Sequence, residues 1–300
     1  MSLVDSPAVM DRTAVSKTGS RALRRALHAQ TAALKAQALR RRRELAAPLL
    51  DGPEVMSRLS GLGSQDLAGS PLVQAARAEA YRLVEANGDK VQRAKGSVQY
   101  LLENEAFESG SAAVKLACSP EILGPVARYL GMLPILLRIE MTRANATTLL
   151  PNSTHRFHLD PEDITQVKAF IHLTPVDPDC GPFTALPANL SDEVVEHVGY
   201  REGRLTDEEV DAIVGAGRAV QSIGPPGTVT FCDTSRCFHF GGRPAAPGKP
   251  KRDLLVIDYV LPTCAMLPRF AGDGKRPALM EHLGTRDDET WNALIGAIYD

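Results

Sequence analysis

The feature that most constrains the fold is a change in the texture of the sequence near Gly131. Downstream of it, short segments of alternating or continuous apolar residues are separated by turns rich in Gly and Pro, such as "DPDCGP", "GPPG" and "GGRPAAPGKP". Several short strands joined by such turns are typical of a β-sandwich or barrel. The predicted strands lie near the middle of 136–150 and at 166–176, 227–233 and 253–261.

The segments outside these strands predict helices. Ala, Leu and Arg, which all favour helices, dominate residues 20–50. We interpret the four arginines at 40–43 as a solvated helix end, where cations suit the helix dipole. Ser191, Thr206 and Thr285 are predicted N-caps. The other predicted helices are 72–87, 119–130, two short ones within 190–217 and one at 285–299, whereas the Gly-rich stretch 60–71 is predicted to be a loop.

Together these patterns predict an α+β protein with a mainly β core, organised as one structural domain. The predicted parts are a flexible arm at 1–18, a helical N-terminal portion at 19–130 that packs on the core, a β core at 131–265 with a helical insertion at 190–217, and a C-terminal tail and helix at 266–300.

Composition excludes several classes of function. The chain has 300 residues, a formal net charge of −2 and 44% hydrophobic residues, so no global field points to nucleic acid or a membrane surface. Five cysteines without a C-x-x-C pair indicate reduced thiols, and no apolar run reaches the ~18 residues of a membrane span. We therefore expect a cytoplasmic protein without a nucleic-acid or membrane partner. The basic N-terminal helix could pack on its own domain or form an oligomer.

The stretch "NSTHRFHLDPED" at 152–163 indicates a metal site. Residues i and i+2 of an extended strand point to the same side, so His158 and Asp160 can face one point together. The natural third ligand is His239, which follows the predicted strand 227–233. Two imidazoles and one carboxylate on one face of an octahedron are the arrangement of non-haem iron(II) oxygenases, in which three positions stay open.

A cation is then needed for the co-substrate. A 2-oxo dicarboxylate that chelates iron presents its second carboxylate away from the metal, and a guanidinium matches that carboxylate in a two-pronged way. Arg252 opens the predicted strand "RDLLVIDY", and Arg243, four residues after His239, is its competitor.

The ordered set "HLD", "FIHLTPVDPDCGPFTALPANL", "GPPGTVTFCDTSRCFHFGG" and "RDLLVIDY" resembles the phytanoyl-CoA dioxygenase family of iron(II)/2-oxoglutarate-dependent oxygenases, over roughly residues 120–262. The resemblance implies a double-stranded β-helix, a jelly roll of cupin-like type, with iron between its sheets. It assigns the metal to His158, Asp160 and His239, and the far carboxylate of 2-oxoglutarate to Arg252. The family usually has "PGSH" where this chain has "PANL" at 187–190, a departure that spares the metal ligands.

The activity that the resemblance implies is that of a dioxygenase. Such an enzyme hydroxylates an unactivated C–H bond of a small molecule or acyl thioester, consumes O₂, and decarboxylates 2-oxoglutarate to succinate and CO₂. Asp160 favours hydroxylation over halogenation, because related halogenases carry a small residue at that position. Desaturation and ring formation remain alternatives to hydroxylation.

Further contacts to 2-oxoglutarate or substrate are expected from Lys168, Phe170, His172 and Thr174 if their strand face lines the barrel. A solvated face is an equally compatible interpretation. For the metal, a zinc site made of Cys232, Cys237 and His239 is the alternative, although its spacing fits no common zinc motif.

Two alternatives to the oxygenase stay open at this point. The chain could be a jelly-roll ligand-binding or sensor protein without turnover. It could also be a cupin-like metal enzyme that does not use 2-oxoglutarate.

Overall fold

A seven-stranded antiparallel sheet forms the largest layer of the protein. The computed structural model describes residues 21–95, 98–144, 155–199, 204–243, 252–264, 267 and 282–296. The strands of this sheet are β1 (Leu62–Asp66), β2 (Arg93–Lys95), β3 (Val98–Leu102), β4 (Ile135–Ala144), β5 (Gln166–His172), β8 (Thr228–Asp233) and β10 (Arg252–Val260). Their order across the sheet is β1-β8-β5-β10-β4-β3-β2, so β5 and β10 lie at its centre.

A smaller sheet covers part of one face of the large one. It consists of β6 (Thr184–Ala185), β7 (Val220–Gln221) and β9 (His239–Phe240), in the order β7-β6-β9. A bridge between His158 and His239 adds one further short segment beside β9. The ring of Phe183, just before β6, stacks on Phe170 of β5 with ring centroids 4.0 Å apart, so the two sheets are in contact.

The alternation along β5 divides the interior into two parts. Val167, Ala169 and Ile171 belong to the main hydrophobic core, which the large sheet shares with the helices. Phe170 belongs to a second cluster between the two sheets. The predicted division of this strand into two faces is therefore confirmed. The face that carries Phe170 and His172 is buried rather than solvated, since these residues are 8% and 1% exposed.

Helices pack on the outer face of the large sheet and beside the small one. Their bounds are α1 (Arg21–Leu34), α2 (Ala36–Leu50), α3 (Pro71–Ala86), α4 (Ala112–Ala117), α5 (Pro120–Leu130), α6 (Ala188–Val198), α7 (Asp207–Val214) and α8 (Glu289–Leu294). Helix α5 begins with proline after Ser119 and ends at Gly131, whose φ of 71° is the left-handed conformation favoured for a helix end. Within the described ranges, no helix combines the length and the apolar character needed to cross a bilayer.

The N-terminal portion is not purely helical, and this corrects the prediction for 19–130. Strands β1, β2 and β3 lie within it and extend both edges of the large sheet. Part of the predicted loop 60–71 is instead strand β1, although this strand contains Gly63. A Cβ at Gly63 would lie 2.0 Å from the backbone oxygen of Val55, so this glycine allows two backbone segments to approach closely.

The arginine run at 40–43 is not entirely a solvated helix end. Arg42 is 3% exposed, and its guanidinium donates to the carbonyl oxygens of Leu133 and Pro134 at 3.2 and 3.1 Å and to that of Ala293. The sequence could not reveal this burial, because the acceptor carbonyls come from distant parts of the chain.

The predicted N-caps have different outcomes. Thr206 caps α7 in a reciprocal arrangement with Glu209, as predicted. The prediction for Ser191 is wrong, because this residue lies inside α6. Thr285 is also wrong, since Asp288 caps α8. The predicted arm at 1–18 lies outside the described residues, as do 145–150 of the predicted strand 136–150 and most of the predicted tail.

Candidate metal centre

The structure brings His158, Asp160 and His239 together in a single group. One potential ligand atom from each lies within 4.8 Å of the other two. The backbones of the two histidines are paired, since each amide donates to the other's carbonyl, at 3.1 and 3.0 Å, and the amide of Asp160 donates to the carbonyl of Thr234 at 2.8 Å. The group is therefore fixed by backbone hydrogen bonds between two distant segments.

Both imidazoles are oriented for coordination through Nε2. Nδ1 of His158 lies 2.9 Å from the carbonyl oxygen of Arg156, and Nδ1 of His239 lies 3.0 Å from that of Cys237. Because a carbonyl only accepts, each Nδ1 carries the proton and each Nε2 keeps its lone pair. Burial, together with the neighbouring His239, lowers the pKa of His158 to about 3, so this ring is neutral at physiological pH.

The carboxylate of Asp160 is ionised and already has a cationic partner. Its Oδ2 atom lies 2.6 Å from Nζ of Lys168 and 3.7 Å from Nε2 of His239. Burial acts to raise the pKa of Asp160, but Lys168 and the two histidines outweigh it and hold this pKa well below its ordinary value. Burial likewise acts to lower the pKa of Lys168, and Asp160 and Asp258 reverse that effect, so the lysine stays an ammonium.

The chemistry of this donor set fits a borderline divalent metal such as iron or zinc. Among the described residues, it is the one group of His, Cys, Asp and Glu side chains close enough to hold an ion. The alternative zinc site is not formed, because Cys232 and Cys237 do not join the group. The thiol of Cys237 points instead to the carbonyl oxygen of Ser60 at 3.4 Å.

Arg252 is a buried cation with unused donors. It is 4% exposed, and within the described part of the chain its Nε and Nη1 atoms have no hydrogen-bond partner. A Cβ built on Gly241, two residues after His239, would lie 3.6 Å from its Nη2. Burial lowers the pKa of Arg252 to about 10. Buried guanidinium nitrogens are normally paired, so this arrangement fits a carboxylate ligand.

The competitor Arg243 differs from Arg252 because its guanidinium already has strong partners, although its Nε is also buried without a hydrogen-bond partner among the described residues. Its Nη1 donates to both carboxylate oxygens of Asp207, at 2.9 and 2.8 Å, and its guanidinium lies 3.3 Å from the ring centroid of Phe240. Since this arginine already has an ionic and an aromatic partner, it is the weaker candidate for a co-substrate carboxylate.

The remaining predicted contacts have different surroundings. Phe183, which stacks on Phe170, lies 5.5 Å from the ring of His239, so this aromatic pair borders the metal group. Nε2 of His172 is 2.8 Å from Oγ of Ser222, and burial lowers the pKa of His172 to about 4. Thr174 contacts the backbone beside Arg252. Its hydroxyl accepts a hydrogen bond from the amide of Asp253.

Sequence reasoning missed two residues that support the group. Ser191 donates to the carbonyl of Leu186 and accepts from the amide of Phe238 at 2.9 Å, immediately before His239. No local signal distinguishes this serine from an ordinary cap. Asp258 lies on the central strand β10, and an acid within the otherwise apolar run "LLVIDYVL" was a signal that could have been used.

Comparison with known proteins gives similarity to solved structures alone. No protein-family model and no curated protein matches the chain. The epimerase SnoN from nogalamycin biosynthesis is 18% identical, with 75% of this chain and 83% of that chain covered and a TM-score of 0.47. EctD from S. alaskensis is 15% identical, with 69% and 75% covered and a TM-score of 0.49.

HygX from Streptomyces hygroscopicus, solved with nickel and 2-oxoglutarate bound, is 16% identical, with 68% of this chain and 83% of that chain covered and a TM-score of 0.43. Likenesses at these identities and TM-scores carry no conclusion about fold or activity. The resemblance to the phytanoyl-CoA dioxygenase family stays a prediction, and the functional argument depends on the site's own geometry.

Proposed function

We propose that this protein is a non-haem iron(II)/2-oxoglutarate-dependent dioxygenase, with the metal held by His158, Asp160 and His239. The observation that carries the proposal is the combination of this group with the buried guanidinium of Arg252, whose Nε and Nη1 have no hydrogen-bond partner among the described residues. A metal group alone is compatible with many enzymes. A buried cation with free donors near the same short strand indicates an anionic co-substrate as well.

The two facing sheets support a double-stranded β-helix as the scaffold of this site. All strand pairings within both sheets are antiparallel, and the metal group lies where the small sheet meets the segment of His158. We also propose that the N-terminal portion and the β core form one structural domain. Helices α3 and α5 and strands β5 and β10 contribute to the same hydrophobic cluster.

Each side chain has a distinct part in this proposal. When bound, iron(II) supplies the activation of O₂, coupled to the oxidation of 2-oxoglutarate to succinate and CO₂, that allows attack on an unactivated C–H bond. His158 and His239 offer neutral Nε2 atoms, and Asp160 offers negative charge. Arg252 binds the far carboxylate of 2-oxoglutarate, and the stacked rings of Phe170 and Phe183 exclude water from the group.

We also propose a polar small molecule rather than a fatty acyl chain as substrate, because charged side chains share a sheet face with Phe170. Glu140 lies on the same face of the large sheet as Phe170, two strands away. It pairs with Arg93 at 3.0 Å, and Arg138, on the same strand, pairs with Glu162 at 3.2 Å. Covering these charges with an alkyl chain would cost desolvation energy without returning hydrogen bonds.

The test is succinate formation from 2-oxoglutarate by the purified protein, with and without iron(II) and O₂. We expect slow turnover that needs both, and its loss in His239→Ala, while Arg243→Met serves as a matched control that keeps it. Failure of the wild-type protein to bind any divalent metal would contradict the proposal.

The same assay distinguishes the alternatives. Binding of 2-oxoglutarate without consumption of O₂ would indicate a sensor or ligand-binding protein. A metal-dependent activity that Arg252→Ala leaves unchanged would indicate a cupin-like enzyme that does not use 2-oxoglutarate.

A further inference from the structure

We infer that Arg204 is a specificity-determining residue that binds an anionic group of the substrate, such as a carboxylate, phosphate or sulfate, beside the metal. This inference rests on the proposed function and deepens it, because it names the charge of the substrate. It starts from the place of Arg204 in the backbone ladder that carries the metal ligands, and from the partial exposure of its side chain.

The ladder places Arg204 directly opposite His158. Phe157 and Leu205 exchange both backbone hydrogen bonds, at 3.0 and 2.9 Å, so the next antiparallel pair is His158 and Arg204. Opposite residues share a face, and successive residues alternate between faces. Phe157 and Leu205 both belong to the hydrophobic cluster to which α6 and α7 contribute. Arg204 therefore lies on the other face, with His158, and the Cβ atoms of such a pair are about 5 Å apart.

The charge of Arg204 acts on the metal group. Burial lowers the pKa of Arg204, and Asp160 opposes this effect. Burial and His239 lower the pKa of His158, and Arg204 adds to their effect. A guanidinium near a divalent cation raises the electrostatic energy of the loaded site unless an anion lies close to both. Since Asp160 already pairs with Lys168 at 2.6 Å, we assign this anion to the substrate.

Arg204 differs from Arg252 in its access to solvent and in the sheet to which it belongs. Arg252 is 4% exposed and begins β10 of the large sheet. Arg204 is partly exposed and lies beside the segment of His158 that extends the small sheet. Its backbone is also fixed, because Leu205 is paired and Thr206 caps α7. A substrate that enters from solvent can therefore meet a guanidinium whose origin is held in place.

Two simpler roles for Arg204 predict different results. If the residue only stabilised the chain before α7, its loss would lower stability without changing the preference for an anion over a neutral molecule of the same shape. If it acted only through its electric field, a lysine would serve equally well. Direct binding also uses the planar pair of donors that arginine has and lysine lacks.

The experiment uses methanesulfonate and dimethyl sulfone, two probes of nearly the same shape that differ in charge. The full chain is loaded with Co(II) and 2-oxoglutarate, and paramagnetic broadening of the methyl NMR signal of each probe reports binding near the metal. Wild type should bind methanesulfonate about tenfold more tightly than dimethyl sulfone, because the contact is charge-assisted.

The variants separate the possible roles. Arg204→Gln should reduce this ratio to about one, and Arg204→Lys should reduce it to about three. The matched control is Arg218→Gln, at an exposed arginine between α7 and β7, and should leave the ratio unchanged. Titration with 2-oxoglutarate should give the same affinity for wild type and Arg204→Gln.

Each outcome has a defined meaning. Equal binding of the two probes by wild type, or a ratio in Arg204→Gln within about twofold of wild type, would overturn the inference and leave the proposed function standing. An unchanged ratio in Arg204→Lys would reduce the role of the residue to its field. A loss of 2-oxoglutarate affinity of about tenfold or more in Arg204→Gln would assign the residue to the co-substrate, and either result would also overturn the inference.

Two further outcomes concern the protein as a whole. A wild-type protein that binds no Co(II) would overturn the proposed function itself. If Arg204→Gln does not fold, Arg204→Lys decides the question, because the expected loss of about threefold in the ratio then supports the inference and an unchanged ratio overturns it.

Discussion

Two buried arginines in this protein, Arg42 and Arg252, are equally hidden from solvent and differ in what surrounds them. Arg42 is 3% exposed and donates to three backbone carbonyl oxygens, from Leu133, Pro134 and Ala293. Arg252 is 4% exposed, and two of its nitrogens have no hydrogen-bond partner in the part of the chain that the structure describes. Burial of a charge is therefore not by itself a functional signal, whereas a guanidinium with two buried, unused donors fits an anionic ligand.

Replacement of Arg252 should have the strongest consequence of the substitutions considered. Arg252→Met should weaken the binding of 2-oxoglutarate to the metal-loaded protein by about 3 kcal/mol, because a buried ion pair with the ligand is lost. The unfolding free energy should stay the same or rise, since an unpaired buried charge is removed. Calorimetric titration and urea unfolding measure the two quantities. A large loss of stability with unchanged affinity would reverse the roles assigned to the two arginines.

At Arg42 we expect the opposite pair of effects, on stability and not on ligand affinity. Arg42→Met should lower the unfolding free energy by about 3 kcal/mol, because buried carbonyl oxygens lose their donor. The affinity for 2-oxoglutarate should not change, since Arg42 joins α2 to Leu133, Pro134 and α8 on the side of the main core. Urea unfolding and titration of the folded variant test this. Weaker binding of 2-oxoglutarate in a stably folded variant would contradict it.

The third prediction concerns pH and a neutral group near Arg252. Burial lowers the pKa of His172 to about 4, from an ordinary value of 6.5. Between these values the unfolded chain binds a proton that the folded protein does not, so the unfolding free energy should fall as pH drops from about 6.5 toward 4. In His172→Gln this part of the slope should be absent. If the unfolding free energies of both proteins fall equally with pH across this range, His172 is not the group responsible.

The smallest expected effects are those of two neutral hydroxyls. Ser191→Ala should lower the unfolding free energy by about 1 kcal/mol and weaken metal binding, because Ser191 accepts a hydrogen bond from the amide of the residue before His239. Thr206→Ala should cost about 1 kcal/mol through loss of its helix cap, without effect on the metal. Thermal unfolding and Co(II) titration of the pair test this. If both variants bind Co(II) with equal affinity, Ser191 does not support the metal site.

The candidate site was more predictable than the sheet that holds it. His158 and Asp160 share a face because of strand alternation, and that rule is local. His239 could be identified as the third ligand because it follows a segment with a clear strand pattern. By contrast, the membership of β1 in the large sheet, the burial of Arg42 and the role of Ser191 depend on backbone atoms far away in the sequence. Local secondary-structure propensities cannot predict such long-range contacts.

The mutual backbone pairing of His158 and His239 has a consequence for how the protein acquires its metal. Both imidazoles are hydrogen-bonded to carbonyl oxygens, and their segments are paired through peptide groups, so the backbone itself fixes the arrangement of these ligands. We therefore expect the metal to bind to the folded protein, without a coupled folding transition. A chelator should strip the centre reversibly, the apoprotein should keep its circular dichroism, and one divalent ion should exchange for another in the intact chain.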